Sequence, residues 1–271
     1  MVEPVRQIGI VGFGAIGQGV AAGLDNGVPG AALAAITSRN LDAARDAAQA
    51  LLRRVPVVVP LDETVRRSDV VVEAAPAAAF DAIATAALSA GKVLLVASVG
   101  ALVADPERYA AIARRHAGTL HVVSGAIGGL DAISAAAMGS VESVTMTTRK
   151  PPRALVGAPY LEANGIDLTG LIAPRIVFEG SARDACRGFP ANVNVSAAVS
   201  LAGIGPDRTQ VCIIADPSLD RNMHDVEVVG DFGRFTVHIE NRPSANPRTG
   251  ALTAMSILAA IRRLTSPLRV G

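Results

Sequence analysis

Through residues 7–125, short apolar runs alternate with stretches of helical period. QIGIVG (7–12), AALAAIT (31–37), VPVVV (55–59), DVVVEAA (69–75), GKVLLVAS (91–98) and TLHVVSG (119–125) are brief and rich in Val, Ile and Ala. Continuous apolar runs of this kind suit strands buried on both faces. Between them GQGVAAGL (17–24), DAARDAAQALLRR (42–54), LDETVRRS (61–68), the segment from Pro76 to about Ala90, and DPERYAAIARRHAG (105–118) read as helices. In the last of these Asp105 is the expected N-cap, with Pro106 at the first helical position. Strand and helix in strict alternation predict a doubly wound, parallel Rossmann sheet.

After Gly125 the pattern changes. VESVTMTTRKPP (141–152) and RIVFEGSA (175–182) alternate apolar and polar residues. TQVCIIADP (209–217), DVEVVGDF (225–232) and RFTVHIENRP (234–243) read as strands joined by short polar turns, with Gly230 and Gly233 suiting the last. PANVNVSAAVSLAGIG (190–205) reads as a helix of small residues, and NPRTGALTAMSILAAIRRL (246–264) as an amphipathic helix after Asn246-Pro247. Many strands with few helices predict a second, α+β domain with an open mixed sheet. The expected domains are 1–124 with 246–271, binding a dinucleotide, and 125–245, holding the substrate, the catalytic group and a dimer contact.

Half of the 271 residues are hydrophobic but only 3% are aromatic, and Trp is absent. The core must therefore be built from Ala, Val, Ile and Leu. A formal net charge of +1 without long charged runs argues against nucleic acid or an anionic membrane surface as the main partner. No apolar run reaches the roughly 20 residues of a spanning helix. The N-terminal MVEPVRQ shows no signal-peptide pattern, so a cytoplasmic protein is expected. Cys186 and Cys212 match no redox or metal spacing, and no His/Cys/carboxylate spacing suggests a bound metal.

The chemistry begins at GFGAIG. Gly12 permits a tight turn, Gly14 lets a backbone approach a pyrophosphate, and Gly17 lets helix pack on strand. With Ala15 and Ile16 they open a helix whose free N–H groups attract phosphate. The alternative is glycines that serve packing alone. The second strand ends in Thr37, Ser38, Arg39 and Asn40, without the carboxylate that an NAD-preferring site places on the ribose. Arg39 either meets a 2′-phosphate, so that NAD or NADP is accepted, or is a solvated loop residue. Glu73, at the end of VVVE, and Ala75 after it border the cofactor crevice, as does the loop 98–100; Glu73 could equally cap the next helix. Arg149 and Lys150 either bind an anionic substrate or end a strand in solvent. Of the four histidines, His116 reads as surface, His121 as structural and His238 as the polar face of a strand. His224 lies in a polar turn with Asp216, Asp220, Asn222 and Asp225, and is either a proton-transfer group or a loop histidine.

GFGAIG, VVVEAAP (70–76), SVGAL (98–102), SGAIGGLDAI (124–133), TRKPP (148–152), FPANVNVSAAVSLAG (189–203), ADPSLDRNMHDVEVVGDFG (215–233) and ENRPSANPRTGALTAMSILAAIRRL (240–264) together resemble the L-aspartate dehydrogenase family from end to end. The resemblance implies a Rossmann domain onto which the C-terminal helix packs back. It also implies oxidation of L-aspartate by hydride transfer to a nicotinamide, giving iminosuccinate and then oxaloacetate and ammonia, and the reverse reductive amination. It makes His224 the catalytic acid/base, held by Asn222 and its acidic neighbours. Ala126 and an asparagine of PANVNV, Asn192 in preference to Asn194, would contact the cofactor. For the dicarboxylate the candidates are Arg149, Lys150, Asn222 and the backbone of 125–129. A homodimer is expected. The competing readings are a homoserine dehydrogenase or dihydrodipicolinate reductase relative, and a cofactor-binding regulator without turnover.

Overall fold

The computed structural model describes residues 5–190, 193–242 and 252–270. The elements in chain order are β1 (Arg6–Val11), α1 (Ala15–Gly27), β2 (Ala31–Thr37), α2 (Leu41–Leu51), β3 (Val57–Val58), α3 (Leu61–Arg66), β4 (Val70–Glu73), α4 (Phe80–Ser89), β5 (Val93–Val96), α5 (Val99–Leu102), α6 (Pro106–His116) and β6 (Thr119–Val122). They continue with α7 (Leu130–Ala136), β7 (Val141–Lys150), α8 (Pro159–Ala163), β8 (Arg175–Ser181), α9 (Ala182–Gly188), α10 (Asn194–Ala202), β9 (Gln210–Ala215), β10 (Asn222–Gly230), β11 (Gly233–Asn241) and α11 (Leu252–Thr265). Two compact units result: residues 1–98, 105–123 and 253–271, and residues 99–104 with 124–252.

The first unit is a six-stranded parallel sheet in the order β3-β2-β1-β4-β5-β6. This is the dinucleotide-binding order, with its topological switch between β1 and β4. Ile8, Ile10, Val70 and Val72 are fully enclosed with Val20, Ala21 and Leu24 of α1 and Ile257, Ala260 and Ile261 of α11. Each Val, Ile or Leu among them contributes about 1.5–3 kcal/mol on burial. Helix α11 lies close against α1 because Gly19 and Gly23 present no side chain to it; a Cβ at either would run into Ala254 or Leu258. Asp105 caps α6 as expected, its carboxylate accepting from Arg108 N at 3.2 Å.

The second unit is a mixed five-stranded sheet, β11-β10-β7-β9-β8, parallel only between β7 and β9. Along its core face Val144, Met146, Val226 and Val228 pack with Ile133 of α7 and Val199 of α10. Gly230 and Gly233 close the β10–β11 hairpin as the turn reading required. Two expectations need correction. Residues 99–104 were assigned to the first domain but belong to the second unit, where α5 packs. The second half is also richer in helix than its sequence suggested: α7, α8 and α9 are each seven residues or shorter, too brief for a clear helical period. The expected cap at Asn246-Pro247 lies outside the described residues. Among the described residues no helix is long and apolar enough to cross a membrane.

Candidate active site

In the first unit the glycine turn sits where β1 ends. Gly12 has φ +96°, a left-handed conformation that a side chain resists, and a Cβ there would press on the Ala74 carbonyl. Its N–H donates to Thr37 O at 2.9 Å, which ties the turn to the end of β2. A Cβ on Gly17 would strike the Gly12 carbonyl, so α1 can pack this closely only on glycine. Gly14 is different: nothing lies within 4 Å of the position its Cβ would take. Helix α1 has neither a side-chain cap nor an acidic residue in its first turn, and Ala15 is exposed there with Ile16 behind it. An open cradle before free helix N–H groups fits the pyrophosphate of a dinucleotide. Arg39 is exposed just beyond β2.

Glu73 is fully buried at the end of β4. Its carboxylate accepts from Ala75 N at 3.0 Å, Ser98 N at 2.8 Å and Ala97 N at 3.2 Å. The Ser98 hydroxyl in turn donates to Ala75 O at 2.8 Å. Burial pushes the Glu73 carboxyl above its ordinary range, and the N–H donors pull it back. Of the two readings of Glu73 the structural one holds, though by bracing rather than capping: the carboxylate ties together the loops after β4 and β5, Ala75 among them.

In the second unit three neighbouring strands change character along one face. On β7 the inward residues run Val144, Met146, Thr148, Lys150; on β10 they run Val228, Val226, His224, Asn222; on β11 they run Phe235, Val237, Ile239, Asn241. Apolar positions give way to polar ones at the same end of each strand. Thr148, Lys150 and His224 are only 3%, 3% and 2% exposed. Thr148 Oγ1 lies 2.7 Å from His224 Nδ1. The Asn241 amide donates to Ala126 O at 2.9 Å, fixing the loop that Gly125 and Gly129 bend through left-handed conformations.

The Lys150 side chain makes no hydrogen bond or ion pair with the described residues. Burial alone lowers its ammonium to about 8. His224 is lowered to about 3, first by burial and then by the positive charge of Lys150. Among the described residues the one side-chain polar atom that is both sealed in and unpartnered is Thr85 Oγ1. The Lys150 ammonium and His224 Nε2 are not sealed in this way: each lacks a partner among the described residues and keeps some contact with solvent.

Several expectations change here. His224 is not in a turn but third along β10, and the turn is the segment before it. Its acidic neighbours do not touch the ring. Asp225 points to the other face and pairs with His238 at 2.6 Å, Asp220 pairs with Arg221, and Asp216 accepts from Ser218. Asn222 shares the face but the ring is held by Thr148. Arg149 and Lys150 cannot act as a pair, because adjacent residues of a strand point to opposite faces. Arg149 is half-buried on the side away from His224, across from Met223. Asn194 accepts from Gly100 N at 3.0 Å, and Asn192 lies outside the described residues. His116 is exposed, and His121 is half-buried with its pKa lowered by burial and by Arg263. Sequence reasoning passed over Thr148 and Asn241. Their signal was the shared switch from apolar to polar, visible only once the three strands are in register.

Residues 131–264 match the family described as aspartate dehydrogenase, C-terminal, and residues 12–122 match the NAD binding domain of homoserine dehydrogenase. The chain is 47% identical over 265 residues to L-aspartate dehydrogenase 3 of Bordetella bronchiseptica, covering 97% of both. It is 45% identical over 269 residues to the L-aspartate dehydrogenase of Methanocella arvoryzae, covering 98% of this chain and 99% of that one. The chain belongs to the L-aspartate dehydrogenase family. The solved aspartate dehydrogenase of Thermotoga maritima superposes with a TM-score of 0.73 at 27% identity, over 98% of this chain and 99% of that one. A homoserine dehydrogenase from Thiobacillus denitrificans, at 15% identity and a TM-score of 0.62, shares the fold alone. The match to the homoserine dehydrogenase family description is confined to residues 12–122, whereas residues 131–264, which carry Lys150 and His224, match the aspartate dehydrogenase family.

Proposed function

We propose that this protein oxidises L-aspartate to iminosuccinate, with NAD or NADP as the cofactor, and runs the reductive amination in reverse. The observation that carries the reading is the buried, unpartnered Lys150 on the same face as a neutral imidazole. A lysine in that place costs stability unless something anionic comes to meet it. A substrate carboxylate does so, through a charge-assisted bond. Arg149 has no part in this role; Asn222 and the bent backbone of 125–129 supply further donors on the same side.

The bound cofactor, cradled by Gly12, Gly14, Ala15, Ile16 and Gly17, supplies the hydride acceptor for the substrate α-carbon. The protein handles the protons. Because burial and Lys150 keep His224 neutral at rest, it is free to accept a proton from the substrate ammonium. The incoming carboxylate offsets the Lys150 charge and so strengthens the imidazole as a base. Loss of the hydride leaves a protonated imine. His224, having passed its first proton to solvent, takes a proton from water as that water adds to the C=N carbon. It then delivers this proton to the departing nitrogen; as the C–N bond breaks, the new hydroxyl becomes the carbonyl and returns its own proton to His224, leaving oxaloacetate and ammonia. Such acid–base assistance is worth about 10²–10⁴-fold.

Arg39, with no carboxylate beside it on β2, makes NADP an accepted coenzyme. A homodimer formed through the exposed polar face of the second sheet completes the proposal; sedimentation of the pure protein as a monomer would remove it. The enzyme reading is tested with L-aspartate and NAD⁺ or NADP⁺, following the reduced nicotinamide, beside His224→Ala. Aspartate-dependent reduction that falls by about 10²–10⁴-fold in the variant, with cofactor binding intact, is expected. Failure of the native protein in both directions defeats the aspartate reading. Full activity in the variant defeats the role of His224.

A further inference from the structure

A general base is usually aimed by a partner on its other nitrogen, and in many enzymes that partner is a carboxylate. Here every carboxylate near His224 along the chain is engaged elsewhere: Asp225 with His238, Asp220 with Arg221, and Asp216 with the Ser218 hydroxyl and N–H. What meets Nδ1 is a hydroxyl. Thr148 lies directly across from His224 in the β7–β10 register, and its Oγ1 is 2.7 Å from the ring nitrogen. The same oxygen is 3.4 Å from the Met223 carbonyl, an acceptor for its single proton.

We infer that Thr148 is a positioning residue that holds His224 as the Nδ1–H tautomer and leaves the Nε2 lone pair to take the substrate proton. This rests on the catalytic reading of His224. The argument is one of counting partners. With the proton on Nδ1, the ring donates to Thr148 Oγ1 and the hydroxyl donates to Met223 O, so both hydrogens are used. With the proton on Nε2, the hydroxyl turns to Nδ1, the Met223 contact is lost, and the Nε2–H meets no acceptor among the described residues. The second arrangement makes one hydrogen bond where the first makes two, and is the costlier by that difference. A hydroxyl also differs from a carboxylate in consequence: it orients the ring without stabilising an imidazolium. His224 is therefore aimed but not charged in advance. The charged group facing it from β7 is Lys150, while Asp225, His238 and Glu240 of β10 and β11 lie on the opposite face.

The test uses the full-length protein labelled with ¹⁵N-histidine, in which ring-nitrogen shifts and couplings identify the protonated nitrogen of His224. The native protein is expected to show Nδ1–H. Thr148→Val, nearly isosteric, should lose that preference and lower kcat by about 10- to 100-fold, in the range seen when an orienting partner of a histidine is removed. The KM for aspartate should change little, and Thr148→Ser should restore both the tautomer and kcat. A native Nε2–H signal overturns the inference even if Thr148→Val does not fold. So does a Thr148→Val enzyme that keeps native kcat, or one that loses kcat with the tautomer unchanged. If His224→Ala remains fully active, the catalytic reading itself fails, whatever the spectrum shows.

Discussion

Glu73 and Lys150 are both buried, both ionisable and both at the end of a strand, one in each unit, yet they are treated in opposite ways. Glu73 has three backbone N–H groups directed at its carboxylate. The Lys150 ammonium has no hydrogen bond or ion pair with the described residues. A buried charge whose partners are all in place is part of the scaffold: it fixes loops and needs nothing further. A buried charge left open is tolerated only where a ligand provides what the fold withholds. The position of Lys150 on β7 could hold an apolar residue like Met146 four places earlier on the same face, which would have added to the core.

The sharpest way to break this comparison is Lys150→Met. If Lys150 awaits a carboxylate, kcat/KM for aspartate falls by about 10²-fold or more, as for removal of a buried charge partner worth roughly 3 kcal/mol. At the same time the melting temperature should rise, because an unmatched buried ammonium is replaced by an apolar chain. Loss of activity with higher stability is the signature of a site; loss of both would make Lys150 structural. The pH dependence adds a second reading. The folded-state pKa of Lys150 is depressed to about 8 from 10.5, so between those values the unfolded chain binds more protons. Stability should therefore rise with pH across that window, by up to about 1.4 kcal/mol per unit. The rise should be missing from Lys150→Met, which denaturant titrations at pH 8 and pH 10 would show.

Glu73→Gln should do the reverse. The amide sets an NH₂ against backbone N–H groups that have lost their acceptor, at a cost of about 1–3 kcal/mol. Unfolding midpoints should drop and cofactor affinity weaken as the loops at Ala75 and Ser98 loosen, while the KM for aspartate holds. If Glu73→Gln is as stable as the native protein, the distinction between matched and open charges loses its better half.

How far the sequence revealed all this differed between the units. The strands of the first unit are buried on both faces, so each is a continuous apolar run, and the order of elements follows from strand–helix alternation. In the second unit the information lies across strands. Thr148, His224 and Asn241 are far apart in the chain, and each looks like an ordinary polar residue in its own segment. The polar density around 216–225 drew attention to His224 through the wrong neighbours, since the pleat turns Asp225 outward and the ring's partner comes from β7. The same pleat separates Arg149 from Lys150, which their adjacency in TRKPP concealed. Helices α5, α7, α8 and α9, of four to seven residues, were missed because a helical period needs more length to declare itself.

Arg39 supplies the mildest case of the contrast, a cation without a hydrogen-bond partner among the described residues but exposed to water, which already solvates it. Burial of Lys150 makes its need for a partner severe; exposure makes that of Arg39 slight. Arg39→Ala should accordingly leave stability and the aspartate KM unchanged and alter only the coenzyme ratio. A surface guanidinium on a 2′-phosphate is worth about 1–1.5 kcal/mol, so kcat/KM with NADP⁺ should fall roughly tenfold relative to NAD⁺. The measurement is a pair of initial-rate series at saturating aspartate. An unchanged ratio would mean that Arg39 is a solvated loop residue, and that discrimination at the ribose, if any, comes from Ser38 and the backbone beyond Thr37.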